Sequence, residues 1–235
     1  MQHRNLRGKI IYRSDATGSL SAFGREWFSF TWHEDGQVTL RAHCEIEAGV
    51  VAERSVLRDV VYTMDSHYRP HDCFVRLQEN GKFLGTGWYR FCDDVVEAES
   101  FNAHHGRRSE HRQLSEPALS FGAHPVSCDM LHLPRYDLSA GPGISSQTGI
   151  LMSSLEHDGC SGPELRTLDL DLEYVGREAV DVPAGRFTCD HYRFLLDSHP
   201  AEDLWCMPET FVFVKITVGG YMSASFDLVG LEAGY

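Results

Sequence analysis

Residues 37–47 read QVTLRAHCEIE, and this stretch decides the fold class because polar and apolar side chains alternate in it without a break. In an extended chain, successive side chains point to opposite faces. The stretch therefore predicts a half-buried strand whose apolar face consists of Val38, Leu40, Ala42, Cys44 and Ile46. The aromatic run WFSFTW at 27–32 and the turn HEDG at 33–36 come before it, so we expect a hairpin.

The same two-residue period recurs along most of the chain. A second hairpin is predicted around Asn80-Gly81, because both residues tolerate the positive φ that a tight turn requires. Further strands are predicted at 95–101, 108–114, 168–174, 180–195, 203–207, 211–218 and 221–229. We expect about eleven strands in sequential order. The predicted fold class is mostly β, with a single large twisted antiparallel meander sheet that forms a half-barrel or barrel.

One short helix is predicted at 125–133, packed in or against the sheet, with Ser127 as its cap and Pro134 ending it. The segment 139–163 is rich in Gly and Ser and is predicted to be a long loop that serves as a lid or binding loop. The 235 residues are expected to form one domain, 1–235. It would consist of a meander half at 1–114, the helix and loop at 115–164, and a second meander half at 165–235.

Composition and charge exclude several classes of function. The formal net charge of -13 would repel a phosphate backbone, so no nucleic-acid partner is expected. No segment has the roughly 18 to 20 apolar residues of a membrane span, and the start MQHRNLR has no apolar core of a secretion signal. Seven cysteines without a C-x-x-C pair are typical of reduced thiols. The expected location is cytoplasmic.

Four short motifs within 124–218 resemble a bacterial family of uncharacterised domains. They are PVSCDML at 125–131, YVGRE at 174–178, VPAGRF at 182–187, and Trp205 with the later pair Pro208-Glu209. The resemblance covers about 40% of the 235 residues. The sheet of this family is similar to the curved half-barrel of the LolA-type lipoprotein carriers. The resemblance therefore implies a twisted antiparallel sheet around a helix, with a groove or tunnel for a hydrophobic ligand, and it implies no reaction.

Cofactor chemistry has no support in the sequence. The dinucleotide, triphosphate, zincin and hydrolase-elbow motifs do not occur, so no cofactor is expected. Histidine is abundant, with 13 residues, and imidazole can act as an acid or a base near neutral pH. The histidines do not show the spacing of a metal site, because Pro70 between His67 and His71 argues against a helix there. No metal is expected.

A curved sheet has a concave side on which alternate polar residues can line a cavity. On that reasoning His43 and His191 are the predicted acid/base residues. The predicted substrate-binding residues are the anion-holding Arg41, Arg90 and Arg193 and the aromatic Trp88 and Tyr89. The competing interpretation is that these side chains lie on the solvated outer face.

Three functional hypotheses follow. The first is a cofactor-independent enzyme of the lyase, isomerase or hydratase type, acting on a hydrophobic, aromatic small molecule. The second is a non-catalytic cytoplasmic carrier or sensor of an apolar ligand. The third is an interaction module whose edge strand pairs with a partner. A homodimer is a further expectation. A polar, histidine-bearing cavity favours the enzyme, and a dry apolar cavity favours the carrier.

Overall fold

The computed structural model describes residues 4–49, 51–197 and 199–234, and within them one sheet of fifteen strands dominates. The first eight strands are β1 (Arg4–Ser14), β2 (Ser21–Trp32), β3 (Val38–Ile46), β4 (Val56–Met64), β5 (Pro70–Glu79), β6 (Lys82–Phe91), β7 (Val95–Asn102) and β8 (Gly106–Gln113). The other seven are β9 (Phe121–Gly122), β10 (Gly143–Met152), β11 (Arg166–Val182), β12 (Gly185–Leu196), β13 (His199–Cys206), β14 (Phe213–Val218) and β15 (Ala224–Gly234).

The sheet is a meander in two halves. Strands β1 to β8 run in sequential order to one edge, and β15 back to β9 run to the other. The first and last strands, β1 and β15, pair antiparallel in the middle and join the halves. Neighbours are antiparallel except β9 and β10, which are parallel. This confirms the predicted fold class of a large antiparallel meander sheet.

Both predicted hairpins are present. Strands β2 and β3 pair from Gly24 to Trp32, and Gly36 takes a φ of 87° in the turn between them. Strands β5 and β6 meet at a turn in which Asn80 and Gly81 have φ values of 49° and 72°. These are the left-handed conformations that the Asn-Gly pair was expected to adopt.

The sequence underestimates the strand count, because β1, β4, β9 and β10 were not predicted; two of these, β10 and β4, have a physical explanation. The segment predicted as a loop contains β10, because pairing with β11 supplies its backbone hydrogen bonds whatever its Gly and Ser content. Strand β4 escapes detection because Arg58 stands at an inward position between Val56 and Val60 and breaks the apolar alternation.

The predicted helix is shorter than expected and is capped differently. The α-helix α1 covers only Val126–Asp129 and continues as a 3₁₀ helix at Met130–Arg135 that contains Pro134, with another 3₁₀ turn at Leu138–Ala140. Ser127 is inside the helix, so its predicted role as the cap is wrong. The carboxylate of Glu26 on β2 accepts the backbone N–H groups of Val126 and Ser127 instead, at 3.0 and 3.2 Å.

The sheet curves around α1, which contacts β3 in one half and β14 in the other. Backbone pairing among the described residues does not join the edge strands β8 and β9. Side chains bridge the gap through the segment 153–165, which we call the closing loop. Asn102 donates to the carbonyl of Gly162 at 2.6 Å, and Arg108 pairs with Glu164 at 2.8 Å. The interior is thereby enclosed on that side.

Two further findings concern the chain as a whole. All seven cysteines lie among the described residues and none forms a disulfide; only Cys92 is exposed. Within residues 4–49, 51–197 and 199–234, no helix combines the length and the apolar composition that crossing a bilayer requires.

Candidate functional site

His43 lies on the outer face of β3. Its inward neighbours Ala42 and Cys44 are buried, whereas the imidazole is half-buried between two carboxylates. Nδ1 is 2.6 Å from Asp59, and Nε2 is 3.3 Å from Glu45. Desolvation acts to lower the pKa of His43, but the hydrogen bonds to Asp59 and Glu45 together raise it above its ordinary value. The residue is a solvent-side imidazole held by acids.

His191 is at an outward position of β12 but is more deeply buried than His43, with a relative exposure of 9%. Its ring stacks on Trp205 with the centroids 4.3 Å apart. Nε2 is 2.8 Å from Asp203, and Nδ1 is 3.0 Å from Glu178. Six interstrand steps separate β12 from β3, which is about 29 Å along the sheet at about 4.8 Å per step. The structure does not bring His43 and His191 together.

The predicted substrate-binding residues are also spread over the outer face, with one exception. Arg41, Trp88 and Arg90 are exposed at outward positions of β3 and β6. Arg193, outward on β12, pairs with Asp203 at 3.0 Å and with Glu173. These residues have the solvated outer-face position that the competing interpretation describes.

Tyr89 is the exception, because it points inward and is fully buried. Its ring packs on Phe121 with the centroids 4.5 Å apart, and its hydroxyl donates to the carbonyl of Glu164 at 3.0 Å. Tyr89 therefore holds the closing loop. None of the seven predicted site residues is among the described residues that line the interior cavity.

The sheet, α1 and the closing loop enclose a cavity of about 360 Å³, a size typical of small-molecule sites. Its walls are mostly apolar and include Leu170, Phe194, Ile216 and Phe226. Charged residues and histidines interrupt them: Arg58, His124, Asp129, His132, Glu202, His199 and, from the closing loop, Glu156, His157 and Asp158. The mouth is marked by Leu155 and Tyr221, which are 55% and 63% exposed.

Arg58 is the most deeply buried charge of the cavity, with a relative exposure of 1%. Its Nη2 donates to the carbonyl of Asp158 at 2.5 Å, while Nε has no hydrogen-bond partner among the described residues. No carboxylate in the described part of the chain forms an ion pair with it. A buried guanidinium with an unused donor is costly.

His124 lies beside Arg58. Its Nε2 is 3.2 Å from the carbonyl of Ser154, which can only accept, so Nε2 carries the proton and Nδ1 is the acceptor. Both side chains border Gly159. A Cβ added to Gly159 would lie 2.7 Å from Cζ of Arg58 and 3.1 Å from Cδ2 of His124. Cζ of Arg58 and Cδ2 of His124 are therefore at most about 6 Å apart. Burial first, and then the charge of Arg58, lowers the pKa of His124 to about 3. The imidazole is neutral at physiological pH.

His132 is the second neutral imidazole of the interior. It is 3% exposed, and its Nδ1 is 2.9 Å from the hydroxyl of Ser120. Burial, followed by the charge of Arg135, lowers the pKa of His132 to about 3. Its ring meets the edge of Phe194, which fixes its orientation on the cavity wall.

Asp129 supplies an acid to the same cavity. Its side chain makes no hydrogen bond or ion pair with the described residues, and the surface that remains accessible faces the cavity. Burial raises the pKa of Asp129 well above its ordinary value, and the nearby carboxylates of Glu202 and Glu26 raise it further. Burial likewise raises the pKa of Glu202, although the neighbouring His199 opposes this. Asp129 therefore keeps its proton at higher pH than an exposed aspartate.

A supporting layer of side chains holds these groups. Glu26 is fully buried and accepts the hydroxyl of Tyr12 at 2.6 Å as well as the two N–H groups of α1. It thereby anchors the helix that carries Asp129. Cys44 stands between Glu26 and Arg58 in the strand register, and burial raises the pKa of this thiol to about 12. The thiol is protonated at neutral pH and is not an activated nucleophile.

The interior residues combine three chemical capabilities. Asp129 can give a proton, His124 can accept one at Nδ1, and the positive charge of Arg58 can stabilise a negative charge nearby. In the part of the chain that the structure describes, no three His, Cys, Asp or Glu side chains gather closely enough to hold a metal ion. The arrangement fits acid/base chemistry on a small molecule.

The sequence contained one usable signal for this site. Arg58 falls on the same face of its strand as Val56 and Val60, and Glu26 falls on the face of Phe28. A charge on an otherwise apolar face marks a special position. His124 and Asp129 have no such marker, because they flank or belong to a short helix whose place inside the sheet is set by tertiary contacts.

Comparison with known proteins supports the fold. No protein-family model matches the sequence. No curated protein is similar in sequence. A beta-barrel-like protein of the domain of unknown function DUF1849 from Brucella abortus has a TM-score of 0.61 and 12% identity, covering 99% of this chain and 98% of that one. A protein with a YmcC-like fold from Bacteroides fragilis has a TM-score of only 0.31 and 10% identity, covering 97% and 95%. The first of these likenesses shows that the fold occurs in an uncharacterised bacterial domain.

Proposed function

We propose that the protein is a cofactor-independent enzyme of the lyase, isomerase or hydratase type that acts on a hydrophobic, aromatic small molecule. The observation that carries this proposal is the presence of Arg58, His124 and Asp129 in one cavity whose walls are mostly apolar. Binding of an apolar ligand does not require such groups, and each one lowers the stability of the fold when its charge or hydrogen bonds are unsatisfied.

In this proposal the substrate's apolar body packs against the walls formed by Phe194, Ile216 and Phe226. Nδ1 of His124 takes a proton from the substrate, and the electron pair that is released moves onto a substrate oxygen. The guanidinium of Arg58 stabilises the oxyanion. Asp129 returns a proton to the product, and proton exchange with water restores both residues.

The cavity also explains how His124 can act as a base although its pKa is low. Part of the lowering comes from the positive charge of Arg58. An anion that forms next to Arg58 offsets this charge, so the pKa of His124 rises during the reaction. The base becomes stronger when it is needed.

A hydrogen-isotope experiment tests the proposal. The protein is incubated in D₂O with a panel of hydroxylated aromatic carboxylates, alcohols and carbonyl compounds, and products and deuterium incorporation are followed by mass spectrometry. We expect conversion or exchange that falls about 100-fold or more in Asp129→Asn and His124→Asn. Equal rates in the wild type and in both variants would contradict the proposal.

The outer-face histidines provide matched controls. His43→Asn and His191→Asn remove imidazoles that the sequence predicts to be catalytic but that lie outside the cavity. We expect both variants to keep the wild-type rate within about twofold, which corresponds to less than about 0.5 kcal/mol. A large loss of rate in either variant would instead support the sequence-based prediction that His43 or His191 is an acid/base residue.

The second candidate function is a carrier or sensor of an apolar ligand. The mostly apolar walls and the resemblance of 124–218 to domains similar to the LolA-type half-barrel carriers favour it. A carrier would release its ligand chemically unchanged, whereas an enzyme would not. Mass spectrometry of the ligand before and after incubation therefore separates the two.

Two predictions about the setting of the protein accompany this proposal. A reducing compartment such as the cytoplasm is supported by seven cysteines that form no disulfide. A homodimer is supported by an exposed apolar row on the outer face, in which Val61, Phe74 and Trp88 are cross-strand neighbours. Analytical ultracentrifugation of the wild type and of Phe74→Ser tests the dimer.

A further inference from the structure

Arg58 stands where the fold would place an apolar residue. Its neighbours on the inner face of β4 are Val56, Val60 and Tyr62, all buried. An arginine in such a position loses its hydration and needs hydrogen-bond acceptors in return.

The protein satisfies only part of this need. Nη2 donates to the carbonyl of Asp158, and Nε is buried without a partner among the described residues. The carboxylate of Asp158 is engaged elsewhere, because Arg54 donates to it at 2.8 Å and the backbone N–H of Cys160 at 2.9 Å. Arg58 thus receives a neutral carbonyl from Asp158 and no negative charge.

The other acids of the interior do not balance the charge either. Glu26 is committed to three donors, namely the hydroxyl of Tyr12 and the N–H groups of Val126 and Ser127. Asp129 lines the same cavity but makes no ion pair with Arg58 among the described residues. Two further acids that line the cavity have other partners: Glu156 pairs with Arg54 at 3.1 Å and Glu202 with His199 at 3.3 Å. The guanidinium is therefore a cation without an ion-pair partner among the described residues.

We infer that the cavity takes substrates that carry a carboxylate, and that Arg58 is the residue that binds it. A carboxylate offers two acceptor oxygens to the planar fork of a guanidinium and supplies the missing countercharge. The substrate class is then a hydrophobic monocarboxylate, whose apolar body lies against Phe194, Ile216 and Phe226. Because this inference rests on the proposed function of the cavity, its test must separate the two.

Matched pairs of probes make that separation. Isothermal titration calorimetry compares trans-cinnamate with cinnamyl alcohol and 4-phenylbutyrate with 4-phenyl-1-butanol, which differ only in the head group. We expect the wild type to bind each carboxylate at least tenfold more tightly than its alcohol. Arg58→Met should remove this preference without weakening the binding of the alcohols. Arg41→Met, which removes an exposed arginine from the outer face of the neighbouring strand, should keep it.

The possible results have distinct meanings. Equal affinity for acid and alcohol in the wild type overturns the carboxylate inference but leaves small-molecule binding in the cavity intact. Binding of none of the four compounds overturns both. A preference that survives Arg58→Met assigns the carboxylate to another residue and also overturns the inference.

A second variant guards against misfolding. If Arg58→Met does not give the cooperative urea transition of the wild type, Arg58→Lys retains the charge and loses the planar fork. We expect Arg58→Lys to lower the carboxylate preference to an intermediate value. An unchanged preference in Arg58→Lys would contradict bidentate binding by the guanidinium.

Discussion

The outer and inner faces of this sheet hold histidines in opposite surroundings. On the outer face both ring nitrogens of His43 face the carboxylates of Asp59 and Glu45, and His191 is held in the same way. On the inner side the partly buried His124 and the buried His132 lie near arginines, and their pKa values are lowered to about 3. The carboxylates around His43 stabilise its charged form, whereas His124 and His132 are kept neutral.

The contrast between the two faces indicates where reactive groups lie in a curved sheet. Polar residues that alternate regularly with apolar ones belong to the solvent side, where partners and water satisfy them. Groups that can act on a ligand interrupt the apolar side, where some of their hydrogen-bonding atoms and charges have no protein partner among the described residues. Regular alternation of polar and apolar side chains identifies the outer face, and a charged residue on the apolar face identifies the candidate site.

The largest expected effect comes from removing an inner carboxylate. Glu26→Ala leaves the hydroxyl of Tyr12 and two N–H groups of α1 without their acceptor, so we expect a loss of about 3 kcal/mol in the free energy of unfolding. Glu45→Ala on the outer face removes exposed pairs and should cost less than about 1 kcal/mol. Urea unfolding at pH 7 measures both. Similar losses would show that the inner face is not special.

The next effect is the response to acid. His124 is neutral when folded and takes up a proton near pH 6.5 when unfolded, so it stabilises the fold fully above that pH and progressively less as the pH falls towards 3. At pH 5 the loss is about 2 kcal/mol for a pKa difference of this size. We expect His124→Asn to lose about 2 kcal/mol less than the wild type between pH 7 and pH 5. Asn suits the position because it tolerates the φ of 76° found there.

His43 is expected to affect the free energy of unfolding with the opposite pH dependence. Because its pKa is raised in the folded protein, its contribution is fully present below pH 6.5 and fades as the pH rises through the folded pKa. His43→Asn should therefore cost stability at pH 5 and little at pH 9. Urea transitions of the two histidine variants across this range check the signs, and parallel curves would refute the contrast.

The smallest expected effect concerns the space around Arg58. A Cβ on Gly159 would run into Nη2 of Arg58, and Gly159 has a φ of 73°. Gly18 has a similar φ of 82° with open space around it, so Gly18→Ala controls for backbone strain alone. We expect Gly159→Ala to cost about 1 kcal/mol more than Gly18→Ala, because the guanidinium must move in a packed interior. Equal costs would mean that Arg58 yields freely.

Much of the fold could be predicted from the sequence because the alternation of polar and apolar residues within a strand shows which side chains share a face. The alternation at 37–47 and the Asn80-Gly81 turn are local signals, and both describe the structure correctly. Strand β10 and the true cap of α1 could not be read in this way. The first depends on pairing with β11, and the second on Glu26, which is a hundred residues from Val126.

The candidate site was harder to predict for a related reason. Alternation assigns faces but does not say which face is concave, and the prediction that the polar residues of regular strands face inward has no local support. The charges of Arg58 and Glu26 on apolar strand faces were the local indications of the interior. The positions of His124 and Asp129 depend on how the sheet wraps around α1, which no local pattern records.

The most direct test of this account is a crystal structure with trans-cinnamate bound. We predict the aromatic body inside the cavity and the carboxylate within hydrogen-bonding distance of the guanidinium of Arg58, with His124 and Asp129 beside the ligand. Binding on the outer face, against His43 and Trp27 or against His191 and Trp205, with the cavity left to water, would contradict the central claim that the inner face holds the functional site.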